Sequence, residues 1–164
     1  YNIYILVFLT IISGCKVNYS MTGASIAPDV KTIAIKFFTK TAALGPASLS
    51  QTFTETLKDK FLTQSRLSLI NGSADLTLEG SITAYVITPQ AIRPDETAAL
   101  NRLSITVNVK FTNLKDEKQN FETVFTRYSD YQSSQNISSV EDGLITDINT
   151  QLVDDIFNKA MINW

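Results

Sequence analysis

Alternating apolar and polar residues predict four β-strands in the part of the chain that follows residue 29. The clearest alternation lies between Leu103 and Phe111, where every second residue is large and apolar. Such a period of two is typical of a sheet with one buried and one wet face. Strict alternation in the second strand places Val86 on the apolar face and Tyr85 on the polar face. The predicted strands are Val30–Phe38, Ala74–Thr88, Asn101–Thr112 and Phe121–Tyr131.

A period of three to four residues in two other segments predicts two amphipathic helices. The first covers Ala47–Arg66, and the second begins near residue 138 and continues to residue 161. Each predicted helix begins with a serine and, three residues later, a glutamine or glutamate, which is the spacing of a capping box. These pairs are Ser48 with Gln51 and Ser138 with Glu141.

The order strand, helix, strand, strand, strand, helix predicts an α+β fold. The first strand–helix–strand unit is expected to be a right-handed parallel crossover, and the later strands can run antiparallel. Two helices on one face of a four-stranded mixed sheet form a two-layer sandwich. The other face, rich in Thr, Ser and Asn, is left open.

The first sixteen residues follow neither period. An apolar run extends from Ile3 to Ile12 and is interrupted only by Thr10. It is shorter than the roughly 20 residues that a membrane-spanning helix needs. We interpret it as the apolar region of a secretory signal. The alternative is a buried N-terminal strand or helix with an ordinary core cysteine, but nothing after Cys15 continues the pattern.

The end of this run, Ile12-Ser13-Gly14-Cys15, resembles a bacterial lipobox. The resemblance implies that the Cys15 thiol takes a diacylglyceryl group and that the peptide bond before it is cut. Because the sequence begins at Tyr1 without a basic segment, we expect the signal peptide to be N-terminally incomplete.

We therefore predict a signal peptide in residues 1–14, a lipidated tether in residues 15–29 and one folded domain in residues 30–164. The residue after the cysteine, Lys16, favours the outer membrane, because lipoprotein signals that hold a protein at the inner membrane have Asp at this position. About 13 residues separate the lipid from the first strand, which gives a maximum reach of roughly 45 Å.

Composition excludes several functions. The chain has 14 Lys and Arg against 16 Asp and Glu, a net charge of −2, which gives no electrostatic case for nucleic acid. There is no histidine, so imidazole catalysis and histidine metal sites are excluded, and one cysteine allows no intrachain disulfide. No Gly-rich phosphate loop is present, and we predict no cofactor, no metal and no enzymatic activity. A serine nucleophile with a Lys or Asp partner stays open, but nothing positions one.

Six segments of the chain together resemble the LptE family of lipopolysaccharide-assembly lipoproteins, in its Bacteroidetes form. The resemblance implies two helices on a four-stranded sheet, at the periplasmic face of the outer membrane. It also implies a protein that plugs and supports the LptD β-barrel and helps lipopolysaccharide to reach the outer leaflet. The segments are Tyr19–Ile26, Ser48–Glu55, Leu57–Phe61, Leu78–Gly80, Asn101–Ile105 and Asp155–Lys159.

In that family basic residues contact lipopolysaccharide, but no motif transfers those contacts to this chain. The candidates from this sequence are Arg93 and Arg102, on either side of the long loop, and Lys110, Lys115 and Lys118 around the hairpin. Cations clustered there would bind lipid phosphates through charge-assisted bonds. The alternative for each residue is ordinary solvated surface charge.

The open polar face also allows two interpretations. It is either simply wet, or it packs against the polar inner wall of a β-barrel. An alternative function is that of a periplasm-facing lipoprotein that regulates a cell-wall synthase or a secretion pore, which the short tether disfavours.

Overall fold

The computed structural model describes residue 27, residues 29–90 and residues 99–161. Two helices cover one side of a mixed sheet in this part of the chain. A single turn of 3-10 helix, Glu117–Gln119, lies in the connection between the last two strands. The helices are α1 Leu49–Gln64 and α2 Ile137–Met161. The strands are β1 Thr32–Ile35, β2 Thr39–Lys40, β3 Ser68–Leu69, β4 Leu76–Gln90, β5 Leu100–Asn113 and β6 Phe121–Gln132.

The sheet has the order β3-β1-β4-β5-β6, and β2 pairs separately with β4. β1 runs parallel to β3 and β4, whereas β4, β5 and β6 are antiparallel neighbours. The predicted α+β sandwich, with a parallel first unit, is therefore confirmed. The four predicted strands correspond to β1, β4, β5 and β6. β2 and β3 are additional, and two residues are too short a run for alternation to reveal a strand.

The hydrophobic core lies between the two helices and the face of the sheet that they cover. Leu103, Ile105, Val107 and Val109 of β5 are fully buried there, as predicted. The apolar stripe of α1 is buried from Leu49 to Phe61. α1 contacts α2 through the rings of Phe61 and Phe157, which pack edge to face with their centroids 5.0 Å apart. Each such burial contributes about 1.5–3 kcal/mol. Neither helix combines the length and the apolar character that crossing a membrane requires.

A β-bulge in β4 overturns the predicted facing of that strand's second half. The register against β5 shifts between Ile82 and Ala84, so that Thr83 is an extra residue. Since one extra residue moves every later side chain to the opposite face, Tyr85 becomes buried and Val86 is 45% exposed. The prediction that Val86 faces the core and Tyr85 faces solvent is wrong.

Neither predicted capping box forms. The Ser48 side chain makes no capping bond, and the Gln51 amide instead donates to a glutamate one turn later. Asn136 caps the start of α2, where its Oδ1 accepts a hydrogen bond from the Ser138 N–H at 3.1 Å. Because α2 begins at Ile137, Ser138 lies inside the helix and cannot take the position before it.

Candidate functional site

The candidate site is the side of the sheet that carries no helix, which we call the open face. Strand alternation places its side chains, and the bulge in β4 decides which residues of that strand's second half belong to it. Its rows are spaced about 7 Å apart along each strand, as every second residue points outward. The open face consists of Lys36, just after β1, with Thr77, Glu79, Ser81, Ala84, Val86 and Thr88 from β4, Arg102, Ser104, Thr106, Asn108, Lys110 and Thr112 from β5, and Glu122, Val124, Thr126, Tyr128 and Asp130 from β6.

A chain of ion pairs crosses the open face near the start of β4. Glu79 binds Lys36 at 2.5 Å through one carboxylate oxygen and Lys110 at 3.3 Å through the other. The hydrogen bond from Lys36 is the main reason that the pKa of Glu79 lies below its usual range. Both lysines are thereby held by a carboxylate of the same face.

Uncharged polar groups occupy the centre of the open face. The hydroxyl oxygens of Thr106 and Thr126 lie 3.0 Å apart across β5 and β6. The Asn108 amide donates to Glu122 at 3.0 Å, which gives that carboxylate a partner as well. Val124 stands beside these groups and is 62% exposed.

An arginine, a tyrosine and an aspartate form a compact group at the far end. Arg102 donates to both carboxylate oxygens of Asp130, at 2.7 and 2.8 Å. The Arg102 guanidinium also lies 3.5 Å from the centroid of the Tyr128 ring, the distance of a cation–π stack. The hydrogen bonds between the two ions lower the pKa of Asp130 and raise that of Arg102. Tyr128 itself stays about half exposed.

The open face therefore carries three cationic and three anionic side chains, each with a partner. The six charges sum to zero, although Glu79 holds two lysines and Glu122 accepts only from the Asn108 amide. Hydroxyls and a few apolar side chains make up the rest of the surface that would meet a neighbour. The cations are Lys36, Lys110 and Arg102, and the anions are Glu79, Glu122 and Asp130.

The structure separates the basic residues that the sequence suggested. Arg102 and Lys110 lie at opposite ends of β5, eight residues apart, which corresponds to about 27 Å along a strand. Lys115 follows β5 and lies 3.5 Å from Asp75, at the same end as Lys110. Lys118 is exposed in the connection to β6 and forms no ion pair with any carboxylate of the described residues. Arg93 lies outside the described residues.

Cys15 and the predicted signal-peptidase segment, Ile12, Ser13 and Gly14, also lie outside the described residues. In residues 29–90 and 99–161, no three Asp or Glu side chains converge as a metal site would require.

Two polar features escaped the sequence prediction. The Tyr85 hydroxyl reaches across the core and donates to Glu141 of α2 at 2.5 Å. Burial, and then this bond, raise the pKa of the Tyr85 phenol. Asn149 lies within the apolar face of α2, is 1% exposed, and neither its amide nitrogen nor its oxygen has a hydrogen-bond partner in the described structure. A polar residue inside an apolar stripe was the available signal for Asn149.

Comparison with known protein families gives one match. A family model described as LptE, lipopolysaccharide-assembly, matches residues 30–160. This span contains every described strand and nearly all of α2. No curated protein matches the chain.

Solved structures show where else this fold occurs. The hypothetical protein CT253 from Chlamydia trachomatis is 11% identical, with a TM-score of 0.55 over 82% of this chain and 99% of its own. Protein XCC0632 from Xanthomonas campestris is also 11% identical, with a TM-score of 0.52 over 85% of this chain and 90% of its own. The rare lipoprotein B from Shewanella oneidensis is 8% identical, with a TM-score of 0.51 over 79% of this chain and 90% of its own. At such identities the likeness concerns the fold alone.

Proposed function

This chain belongs to the LptE family of lipopolysaccharide-assembly proteins, and we propose from that premise how it acts at the outer membrane. The family consists of non-enzymatic lipoproteins, in agreement with the prediction that the chain has no catalytic activity. We propose that the chain, as the Bacteroidetes form of the family, plugs and supports an LptD-like β-barrel from the periplasmic side, and that its open face is the surface that meets the barrel wall.

The observation that supports this proposal is the self-pairing of charges on the open face. A surface that is covered by a partner loses its water, and an unpaired charge there costs several kcal/mol. Glu79 and Asp130 already hold their cations at hydrogen-bonding distance, so that covering them leaves no isolated ion. The hydroxyls of Thr106 and Thr126 suit the polar inner wall of a barrel.

The helix α2, on the other side of the molecule, carries a net negative charge, whereas the charges of the open face sum to zero. Glu141, Asp142, Asp147, Asp154 and Asp155 stand against Lys159 alone on α2. Asp154 and Asp155 are paired with basic residues of α1 and β6, but the helix keeps an acidic excess. Because covering an excess of charge costs free energy, the neutral open face is a better docking side than the acidic helix.

The lipid anchor and the lipid contacts belong to the same proposal. Cys15 carries the lipid and holds the domain at the periplasmic face of the outer membrane. Of the candidate contacts for lipopolysaccharide phosphates, Lys118 is the one described residue that forms no ion pair, and it is therefore the first choice. Arg102, Lys110 and Lys115 each have to release a carboxylate partner before they bind a lipid phosphate. Arg93 remains a candidate by its place in the sequence.

Purification from membranes tests the docking surface with one substitution made on each side of the molecule. Thr126→Arg places an unpaired cation on the open face, and Thr150→Arg places the same side chain on the solvent side of α2. We expect the wild type and Thr150→Arg to recover a large outer-membrane barrel, and Thr126→Arg to recover at least about tenfold less, since burying one unpaired charge costs several kcal/mol.

Recovery of no barrel with the wild type would overturn the proposal, and equal recovery with both variants would overturn the role of the open face. Cys15→Ser serves as a control for the anchor, because it removes the lipid and leaves the folded domain. This variant is expected in the soluble fraction wherever no barrel is present to retain it. The alternative partner, a cell-wall synthase or a secretion pore, would be identified in the same purification.

A further inference from the structure

A single carboxylate fastens the start of β1 to the rest of the sheet. The Oδ2 atom of Asp75 accepts hydrogen bonds from the Lys31 N–H at 2.9 Å, from the Thr32 N–H at 3.0 Å and from the Thr32 hydroxyl at 2.9 Å. The N–H of Asp75 donates in return to the Thr32 hydroxyl oxygen at 2.9 Å. We call this group, Lys31, Thr32 and Asp75, the Asp75 clamp.

The clamp lies where the backbone ladder between β1 and β4 has not yet begun. The first paired residues of these strands are Ile33 and Leu76. Lys31 and Thr32 therefore have no backbone acceptor on β4, and the side chain of the residue before Leu76 accepts their N–H groups instead. A carboxylate that accepts backbone N–H groups forms charge-assisted bonds, which are about twice as strong as neutral ones.

The second carboxylate oxygen of Asp75 and the backbone carbonyls of the clamp also have partners. Lys115 lies 3.5 Å from the second carboxylate oxygen of Asp75, and the Asp75 carbonyl accepts a hydrogen bond from the Leu114 N–H at 2.9 Å. The Lys31 carbonyl accepts from the Ser68 N–H of β3 at 2.9 Å. The clamp thus joins the N-terminal end of β1 to β3, β4 and the segment that follows β5.

The position of the clamp suggests what it resists. The chain enters the fold through Ala27, which packs against the core, and Val30, which is buried. Tension on the preceding segment therefore reaches the clamp directly after these two contacts. The first residue of β1, Thr32, belongs to the clamp, and the three residues behind it, Ile33, Ala34 and Ile35, are buried. Loss of the clamp would expose the backbone pairs of Ile33 with β4 to the same tension, because a short strand detaches one residue after another from its end.

We propose that the Asp75 clamp is a mechanical stop, which prevents tension on the N-terminal tether from peeling β1 out of the sheet. This inference rests on the proposed function, because the lipid on Cys15 is the source of the tension. Backbone and hydroxyl hydrogen bonds lower the pKa of Asp75 to about 2. The folded-state pKa is thus below the unfolded value, so the stabilisation is present above about pH 4 and is lost as pH falls towards 2. Above about pH 4 the carboxylate is therefore ionised, and its bonds keep their charge-assisted strength.

Force spectroscopy on the full, unlipidated chain tests the stop directly. Cys15 is the sole cysteine of the sequence and supplies one attachment point, and Thr126→Cys on the open face supplies the other. We expect the wild type to resist extension until the domain unfolds. Asp75→Ala should release β1 in an earlier step at a lower force, and the milder Thr32→Val variant should lie between the two. Thr77→Val, one row further along the open face, is the matched control and should behave as the wild type.

Hydrogen exchange without load supplies a second measurement. The amides of Lys31 and Thr32 should exchange at least about tenfold faster in Asp75→Ala, which corresponds to the loss of about one hydrogen bond to a charged group. An unchanged opening force together with unchanged exchange of these two amides would overturn the stop. An unmodified Cys15 in the natural protein would instead overturn the anchor, and the force measurement on the isolated chain would stand. The two failures are therefore distinguishable.

Discussion

The two faces of the sheet differ in what holds their side chains. On the face under the helices, Leu103 and Val107 are fully buried and are held by packing on all sides. Their immediate neighbours Arg102 and Thr106 point the other way and are held only by side-chain bonds across the strands, two from Arg102 to Asp130 and one between Thr106 and Thr126. Apolar burial is worth several times more than an exposed pair. The inner face therefore supplies the stability of the fold, and the open face is free to change with little loss of it.

The sharpest test of this comparison removes one large side chain from each face. Leu103→Ala should lower the free energy of unfolding by about 2–5 kcal/mol, because it leaves a cavity in the packed core. Val124→Ala, at a position 62% exposed on the open face, should change it by no more than about 0.5 kcal/mol. Urea denaturation measures both, and equal losses would contradict the division of roles between the faces.

A glycine tests how tightly the inner face is packed. A Cβ atom on Gly80 would overlap the backbone oxygen of Asn108 and the ring of Phe38, whereas a Cβ on Gly143 of α2 meets nothing within 4 Å. Gly80→Ala should therefore destabilise the fold by about 1–3 kcal/mol. The same substitution at Gly143 should stabilise it by about 0.5–1 kcal/mol, because alanine favours a helix. Thermal unfolding of the pair decides the matter, and a stabilising Gly80→Ala would show that the strand has room to move.

The smallest expected effect concerns the polar bond that spans the core. Tyr85→Phe removes the bond to Glu141 and should cost about 1 kcal/mol at neutral pH. Burial and Glu141 raise the pKa of the Tyr85 phenol above its unfolded value of about 10. The stabilisation is therefore present below pH 10 and is lost as pH rises beyond it. Wild-type stability should fall more steeply than that of Tyr85→Phe between pH 9 and 11, and parallel curves would contradict the raised pKa.

Alternation was sufficient to predict the inner face of β5, because each of its apolar residues is followed by a polar one and no bulge interrupts it. The same rule was wrong for Tyr85 and Val86. Thr83 resembles any outward-facing threonine of the sheet, and nothing in its type shows that no residue of β5 pairs with it in the backbone ladder. Short strands such as β2 form because β4 presents free backbone groups beside them, which depends on distant residues.

The open face shows the same limit. Its hydroxyl-rich character was predictable from one strand at a time. The pairing of Arg102 with Asp130 was not, because the two residues are 28 positions apart and meet only through the register of β5 against β6. Ser138 lost the capping position because Asn136 stands directly before the true start of α2. Ser48 does occupy that position at α1, but its backbone is helical there and its side chain makes no capping bond. Local signals identify candidates, and the tertiary structure selects among them.

The bulge at Thr83 also limits how this sequence can vary in length. Loss of Thr83 would leave a regular strand in which Ala84 still pairs with Thr106 and Tyr85 with Ile105, so that the phenol stays in the core and Val86 stays outside. Substitutions in this stretch alter one side chain each, whereas one further inserted residue would shift the alternation again and exchange the two sides of the strand from there to Gln90. Related chains are therefore expected to lack the bulge residue more readily than to carry a second one.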